Sequence, residues 1–423
     1  MSRPAPALAW QRLPRPDPTN RGMWAIGTGH ALTHLYTAAL YVLMPYLARD
    51  LGLSYSQIGF MLSVRQFMST VVNLPAGMIV DTLGRRSLLM AVALLGTAAP
   101  FLVLSTTSAY PVMVVCLALM GIASYLWHPP AITSISEMYP SKRGYGLAIH
   151  ELGANLGDTV TPLVTGALLT YLSWRQVIPV TVAGGILLGI LVLRTVAGVR
   201  RTIVPAPEAT SRTAYLAGLR MLVRNRNLLA LAVVSGIRSF TQHGLVNFLP
   251  LYLVNDLKVP AVLLGLYLAV VQVSGMIATP ISGTLADRIG PKRVATAGMT
   301  TTTVALLLFA AVDLGAAFVA ALAVVGFFVY SMRPAIFRWA IGVAPRQYEG
   351  TTVGVLFTTQ AVFATLMPLI GGIVADRFGL LTVFYVIALS LIAANVMMLL
   401  VPDLRPARPV AEGGPAVEEG GRG

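Results

Sequence analysis

Every histidine of this chain falls inside a long apolar stretch: His30, His34, His128, His150 and His243. Imidazole titrates near neutrality, so such a group can load a proton on one side of a barrier and release it on the other. A carboxylate lifted toward neutral pH by apolar surroundings can do the same, and Glu151 and Asp158 are placed that way. Arg65, Arg238 and Arg333 lie in comparable stretches as fixed cations suited to an anion. Spacing groups several of these side chains. His30, His34 and Tyr41 share one helical stripe, and Glu151, Asn155 and Asp158 share another.

Other chemistries have weaker support. His30-x-x-x-His34 has the i, i+4 spacing of a metal pair, but with a single cysteine and no third ligand at a recognisable spacing no metal centre is expected. No nucleophile elbow, Walker loop or dinucleotide fingerprint is present. His150 and Glu151 are adjacent and point about 100° apart on a helix, a poor catalytic pair. The expectation is a protein without enzymatic activity or cofactor.

The elements that hold these residues follow from composition. At 56% hydrophobic and 11% charged residues, with a mean hydropathy of +0.76, the chain has too little polarity to cover a water-soluble surface. Runs near the ~20 residues that a bilayer requires predict twelve helices, at 23–48, 55–80, 87–107, 110–136, 145–172, 177–198, 227–254, 261–286, 294–312, 315–340, 350–375 and 380–401. Ionisable groups within such spans cost about 2.5 to 3.5 kcal/mol each, so they should face a wet cavity or one another. Residues 1–22 read as a polar, Pro-rich cytoplasmic tail and not a signal peptide. Bundles at 23–199 and 227–401 flank an Arg-rich linker at 200–226, and 402–423 read as a disordered tail.

A net charge of +14 raises the question of nucleic acid, but the charges are segregated. With both termini in the cytoplasm, 21 of the 30 Lys and Arg residues fall inside and four outside (Arg49, Arg175, Lys258, Arg377), the rest lying in spans. That asymmetry is the positive-inside pattern, and it points to an inner-membrane protein with no nucleic-acid partner.

The chain also repeats itself. Gly77, Asp81 and Gly84 recur 206 residues later as Gly283, Asp287 and Gly290, and Gly59/Gly265, Gln66/Gln272, Pro162/Pro368 and Gly166/Gly372 keep the same offset. Gly77 to Gly166 and Gly283 to Gly372 are each 89 residues, a nested unit sized for three helices. An odd number of spans inverts successive units, which is the construction of secondary transporters. Near offset 205, His128-Pro129 matches Arg333-Pro334, and the carbonyls those prolines free belong to Tyr125 and Tyr330. This predicts a kink and a basic group at equivalent depth in both halves, with His128 and Arg333 as a substrate-facing pair.

The repeated Gly-x-x-x-Asp-x-x-Gly-Arg/Lys loop (Gly77, Asp81, Arg85, Arg86; Gly283, Asp287, Arg288), with a partial copy at Asp376-Arg377, resembles the signature of the major facilitator superfamily. Its glycine allows close helix approach, and its aspartate can cap a neighbouring helix N-terminus. Thr82 stands where that pattern usually has Arg or Lys. Trp127-His128-Pro129, followed by Gly153-x-Asn155-x-Gly157 and Pro162, is similar to the fosmidomycin-resistance branch. His34, His150, Glu151 and Asp158 depart from that branch, which puts fosmidomycin itself in doubt as the substrate. The resemblance implies an all-α fold of two six-helix bundles made from inverted three-helix repeats, with spans one, four, seven and ten around a central cavity.

The expectation for function is a monomeric, proton-coupled exporter of a small organic compound with an anionic group. Arg65, His128, Arg238, His243 and Arg333 are the candidate substrate contacts. Asp158, His30, His34 and Glu151 are the candidate proton carriers, and Asp158 is open to two readings, proton carrier or fixed counter-ion to Arg65. Two other functions stay open: a proton symporter importing an organic acid, and a ligand sensor built on a transporter fold.

Overall fold

A computed structural model describes residues 20–83, 85–197, 224–309, 314–344 and 348–403, apart from some side chains between 73 and 83 and that of residue 197. The linker expected at 200–226 and the tails therefore lie mostly outside the described residues. The elements are helical throughout: α1 (Arg21–Leu51), α2 (Tyr55–Leu83), α3 (Arg86–Leu104), α4 (Tyr110–Tyr125), α5 (His128–Met138), α6 (Arg143–Leu168) and α7 (Trp174–Ala197) come first. After 198–223 follow α8 (Arg226–Asn255), α9 (Ala261–Ile289), α10 (Pro291–Leu307), α11 (Ala316–Val343), α12 (Glu349–Phe378) and α13 (Leu380–Leu399). Taking α4 and α5 as one interrupted span, these are the twelve expected spans.

Among the described residues, eight spans are long and apolar enough to cross a membrane on their own. Of the other four, α10 has 17 described helical residues, and α2, α6 and α8 carry ionisable side chains that lower their hydropathy. Helix α6 carries His150, Glu151, Asn155 and Asp158, and α8 carries Arg238, Gln242 and His243. Such helices are held in the membrane by packing against neighbours, not by their own transfer energy. Turns between spans are tight. Gly290 and Gly379, at φ 97° and 85°, reverse the chain in one residue between α9 and α10 and between α12 and α13, a left-handed conformation that glycine adopts without steric cost.

The halves meet along two seams, and the repeated residues form them. A Cβ on Gly59 of α2 would stand 2.1 Å from the Pro368 carbonyl of α12, and one on Gly265 of α9 would stand 2.3 Å from the Pro162 carbonyl of α6. Each repeated glycine thus packs on the repeated proline of the other half, which places a two-fold relation in the contacts themselves. Both seams lie at the end of the bundle far from Asn20 and Asp403. Toward the near end, positions Gly144, Gly283, Gly350 and Gly354 on the same helices meet nothing within 4 Å. The bundle is therefore closed at its far end.

The fourth span departs from the expected symmetric kinks. It breaks at Leu126–Trp127, whereas α11 runs unbroken through Pro334. Two consecutive prolines, Pro129 and Pro130, strip two carbonyls of their partners in the first half, and the second half loses only one.

Candidate functional site

Close approach of α6 to α1 assembles the site. Gly153 packs on the Gly27 carbonyl, where a Cβ would stand 2.0 Å away, and Gly157 packs on Ala31 and the His34 Cβ. With the helices this close, side chains that follow these glycines are delivered to α1. Asp158 Oδ1 accepts from His34 Nδ1 at 2.9 Å, and the His150 carbonyl accepts from His30 Nδ1 at 2.7 Å. Asp158 thus has His34, and not Arg65, as its hydrogen-bonded partner. Arg65 instead donates to the Tyr41 hydroxyl (3.1 Å) and Thr37 Oγ1 (2.8 Å), and its buried Nε has no hydrogen-bond partner.

A cavity of about 230 Å³ lies between the halves. His34, Tyr41, Arg65, Gln66 and Asp158 line it from the first half, and Gln242, His243, Gln272 and Tyr330 from the second. The seams close it at the far end. The Tyr330 hydroxyl hydrogen-bonds Gln272, and His243 Nδ1 donates to the Ser239 carbonyl at 2.9 Å. Its charged lining is a guanidinium without a carboxylate partner and an imidazole–carboxylate pair.

Four of the candidate side chains, His34, Arg65, Asp158 and His243, thus share one cavity; the others lie elsewhere. Arg238 is 3% exposed and held by Gln242 (2.6 Å) and Gln360 (3.3 Å), next to the cavity but not on its wall. Arg333 is exposed and lies over the Phe337 and Phe357 rings at 5.8 and 5.9 Å. Glu151 is exposed on α6 outside the lining. His128 does not form a pair with Arg333. Trp127, fully buried, packs against α1 at Gly29, where a Cβ would stand 2.0 Å from the indole, and this anchor turns His128 toward His30 at an Nε2–Nε2 distance of 3.2 Å. The fourth span consequently contributes nothing to the wall, and α2, α6 and α9 join α1, α8 and α11 there.

The fold adds to His30 and His34 a third nitrogen donor that no sequence spacing shows. The helix interruption in the fourth span supplies His128, and the three residues offer ring nitrogens within 4.8 Å of one another. Gln66 and Gln272 were visible as a repeat pair, and both prove to line the cavity; their register was the signal. Gln242 had no such signal.

The loop residues divide by copy. Gly77 and Asp81 ride on α2 with side chains outside the described residues, while Arg85 is exposed and Arg86 forms an ion pair with Glu137 of α5. Gly283 is open, Arg288 is exposed, and Asp287 pairs with Arg338 of α11 at 2.8 Å and not with a helix N-terminus. The helix-capping geometry is found in the partial copy, where Asp376 accepts from the backbone N–H groups of Tyr55 and Ser56, both at 2.8 Å, across the α2–α12 seam. Arg377 beside it is exposed.

The comparisons agree with this architecture. The Major Facilitator Superfamily model matches residues 26–289 and 231–420. The chain belongs to the major facilitator superfamily. It is 24% identical over 402 residues to "Multidrug resistance protein MdtG" of a Rahnella species, covering 88% of this chain and 92% of that one. It is 23% identical over 342 residues to "Probable nitrate/nitrite transporter NarK2" of Mycobacterium tuberculosis, covering 78% and 82%. The crystal structure of the nucleoside transporter NupG (D323A mutant) superposes with a TM-score of 0.78 at 13% identity, covering 90% of this chain and 99% of that one. This superfamily member is a multi-pass membrane carrier of small molecules, not an enzyme.

Proposed function

We propose that this superfamily member exports a small organic anion in exchange for protons, by alternating exposure of the central cavity. The observation that carries the reading is Arg65: a buried guanidinium on the cavity wall, with hydroxyl partners, no carboxylate partner and an Nε left without an acceptor. A buried cation in that condition favours an anionic guest, because the guest supplies the missing charge and acceptors. The His34–Asp158 pair on the same wall is the proton carrier in this reading. Protonation of Asp158 would release His34 and change the charge that a bound anion meets.

With both termini cytoplasmic, in an inner membrane, the state seen here is closed to the outside. Bundles 23–199 and 227–401 rock about the glycine–proline seams, tethered by 200–226, as a monomer. Asp81 and Asp287 latch the cytoplasmic side in the opposite state. Export is supported by the likeness to a multidrug resistance protein and by the fosmidomycin-resistance likeness of the N-terminal half. Import by proton symport is the second reading, supported by the likeness to a protein named as a nitrate/nitrite transporter.

Proteoliposomes of both orientations with an imposed pH gradient test the reading. Small organic acids, phosphonates and nitrate should exchange against protons, and Asp158→Asn should abolish coupling. Accumulation of substrate against its gradient by Asp158→Asn rules out the proton role. Downhill movement of substrate and protons in the same direction replaces export with symport.

A further inference from the structure

Four imidazoles gather on the side of α1 that faces α5 and α6, and hydrogen bonds assign the protons of two of them. His30 Nδ1 lies 2.7 Å from a carbonyl oxygen, which can only accept, so Nδ1 bears the hydrogen and Nε2 keeps a lone pair. His34 Nδ1 lies 2.9 Å from the Asp158 carboxylate, so its Nε2 is the free nitrogen as well. His128 turns Nε2 toward His30 Nε2 at 3.2 Å. His150 stacks on His30 with ring centroids 3.7 Å apart and leaves its own buried Nε2 without a hydrogen-bond partner.

We infer that His30, His34 and His128 form a binding site for a borderline divalent transition-metal ion of the zinc class. Tetrahedral zinc–imidazole bonds of about 2.0–2.1 Å put neighbouring ligand nitrogens about 3.4 Å apart. The His30–His128 separation is already close to that, and all three residues offer nitrogens within 4.8 Å. On binding, the hydrogen between the two Nε2 atoms is given up to His128 Nδ1, so the ring stays neutral and Nε2 becomes a ligand.

The groups behind the ligands have the form a metal site requires. A carbonyl holds His30 and a carboxylate holds His34, each keeping the hydrogen on Nδ1 and leaving Nε2 free to ligate. Charges near the site are mixed, with Asp158 and Glu151 opposing Arg65 around His34. Hard cations are excluded by the all-nitrogen donor set, since magnesium and calcium prefer oxygen. An entry path exists because His34 is on the cavity wall. Three protein ligands leave a fourth position for water. The ion would tie α1 to α5 across the break in the fourth span.

The inference goes beyond the transport reading and is tested without transport. Untagged protein, stripped by chelator and kept in detergent, is titrated calorimetrically with Zn²⁺, and a second sample is loaded with Co²⁺ for visible spectroscopy. The expected result is one Zn²⁺ per chain and the intense ligand-field bands of tetrahedral Co²⁺. His128→Gln should remove saturable binding, and Asp158→Asn should weaken it roughly 10–100-fold through His34. No saturable binding, octahedral Co²⁺, or a His30→Gln/His34→Gln/His128→Gln protein that binds as the parent does would each overturn the site. Should the variants fail to fold, the wild-type Co²⁺ spectrum decides alone. Failure here leaves the pH-gradient assay untouched, and failure there leaves this one untouched.

Discussion

The two halves share a helix plan and differ in how they hold charge. The first half breaks its fourth span, packs α6 against α1 through glycines and gathers four histidines and Asp158 beside its helix axes. The second half keeps α11 continuous and holds Arg238 in an amide shell of Gln242 and Gln360, with His243 bonded to its own helix. One half is therefore organised around imidazoles and a carboxylate, and the other around a guanidinium and neutral amides. In the repeat, architecture is duplicated while chemistry is divided.

The largest expected effect breaks the division at Arg65, the fixed cation that stands on the histidine-bearing side. Arg65→Gln should weaken substrate binding by about 1.5–3 kcal/mol, roughly 10–150-fold in Kd, because a charged hydrogen-bonding group is lost. A ligand-binding titration on purified protein reads this. Arg238→Gln, off the wall, should act less on Kd than Arg65→Gln does; the reverse order would move the anion site into the second half.

Next are the seams, where the halves are most alike. Gly59→Leu and Gly265→Leu each place a side chain where a Cβ already falls within 2.3 Å of a carbonyl. Overpacking of about 1–3 kcal/mol should shift the closed–open balance 5–150-fold. Distances between spin labels at the far ends of α2 and α12 should lengthen in both variants. A change in one variant only would show that the seams are not equivalent.

A smaller effect sharpens a difference between those seams. Asp376 caps α2 at Tyr55 and Ser56, whereas the position 206 residues earlier, opposite Ala261 and Val262 of α9, is Thr170. Asp376→Ala should weaken the closed state by about 0.5–2 kcal/mol, the usual worth of a helix cap. Thr170→Asp should strengthen the other seam by a few tenths of a kcal/mol to about 1. Hydrogen exchange at the first turns of α2 and α9 distinguishes the two. The smallest change is expected from Arg338→Ala, since its pair with Asp287 is about half exposed on both sides and is worth no more than about 1 kcal/mol; thermal unfolding should scarcely move.

Span positions were legible because a twenty-residue apolar run has few other uses, and every described helix lies within a few residues of its expected range. The repeat was legible for a deeper reason. Gly59, Gly265, Pro162 and Pro368 are matched in sequence because they touch in pairs, so the offset encodes a contact. The site was legible only by residue type. Apolar context identified His34, Arg65, Asp158 and His243 as unusual, and they share a wall. It also singled out Arg333, which lies on aromatic rings away from it. What decides between these outcomes is rotation about the helix axis, and for His128 that rotation is set by Trp127 seated on Gly29, a tertiary contact with no local signature.

The glycine–proline seams carry a last implication. Their tightest contacts are glycine on a backbone carbonyl, and of the four glycines and prolines that make them only Pro162 also lines the cavity, so seam and pocket are largely separate parts of the molecule. Substitutions among the lining residues other than Pro162 should leave the seam contacts as they are, and a single scaffold of this kind can diversify its clientele while its closure stays constant.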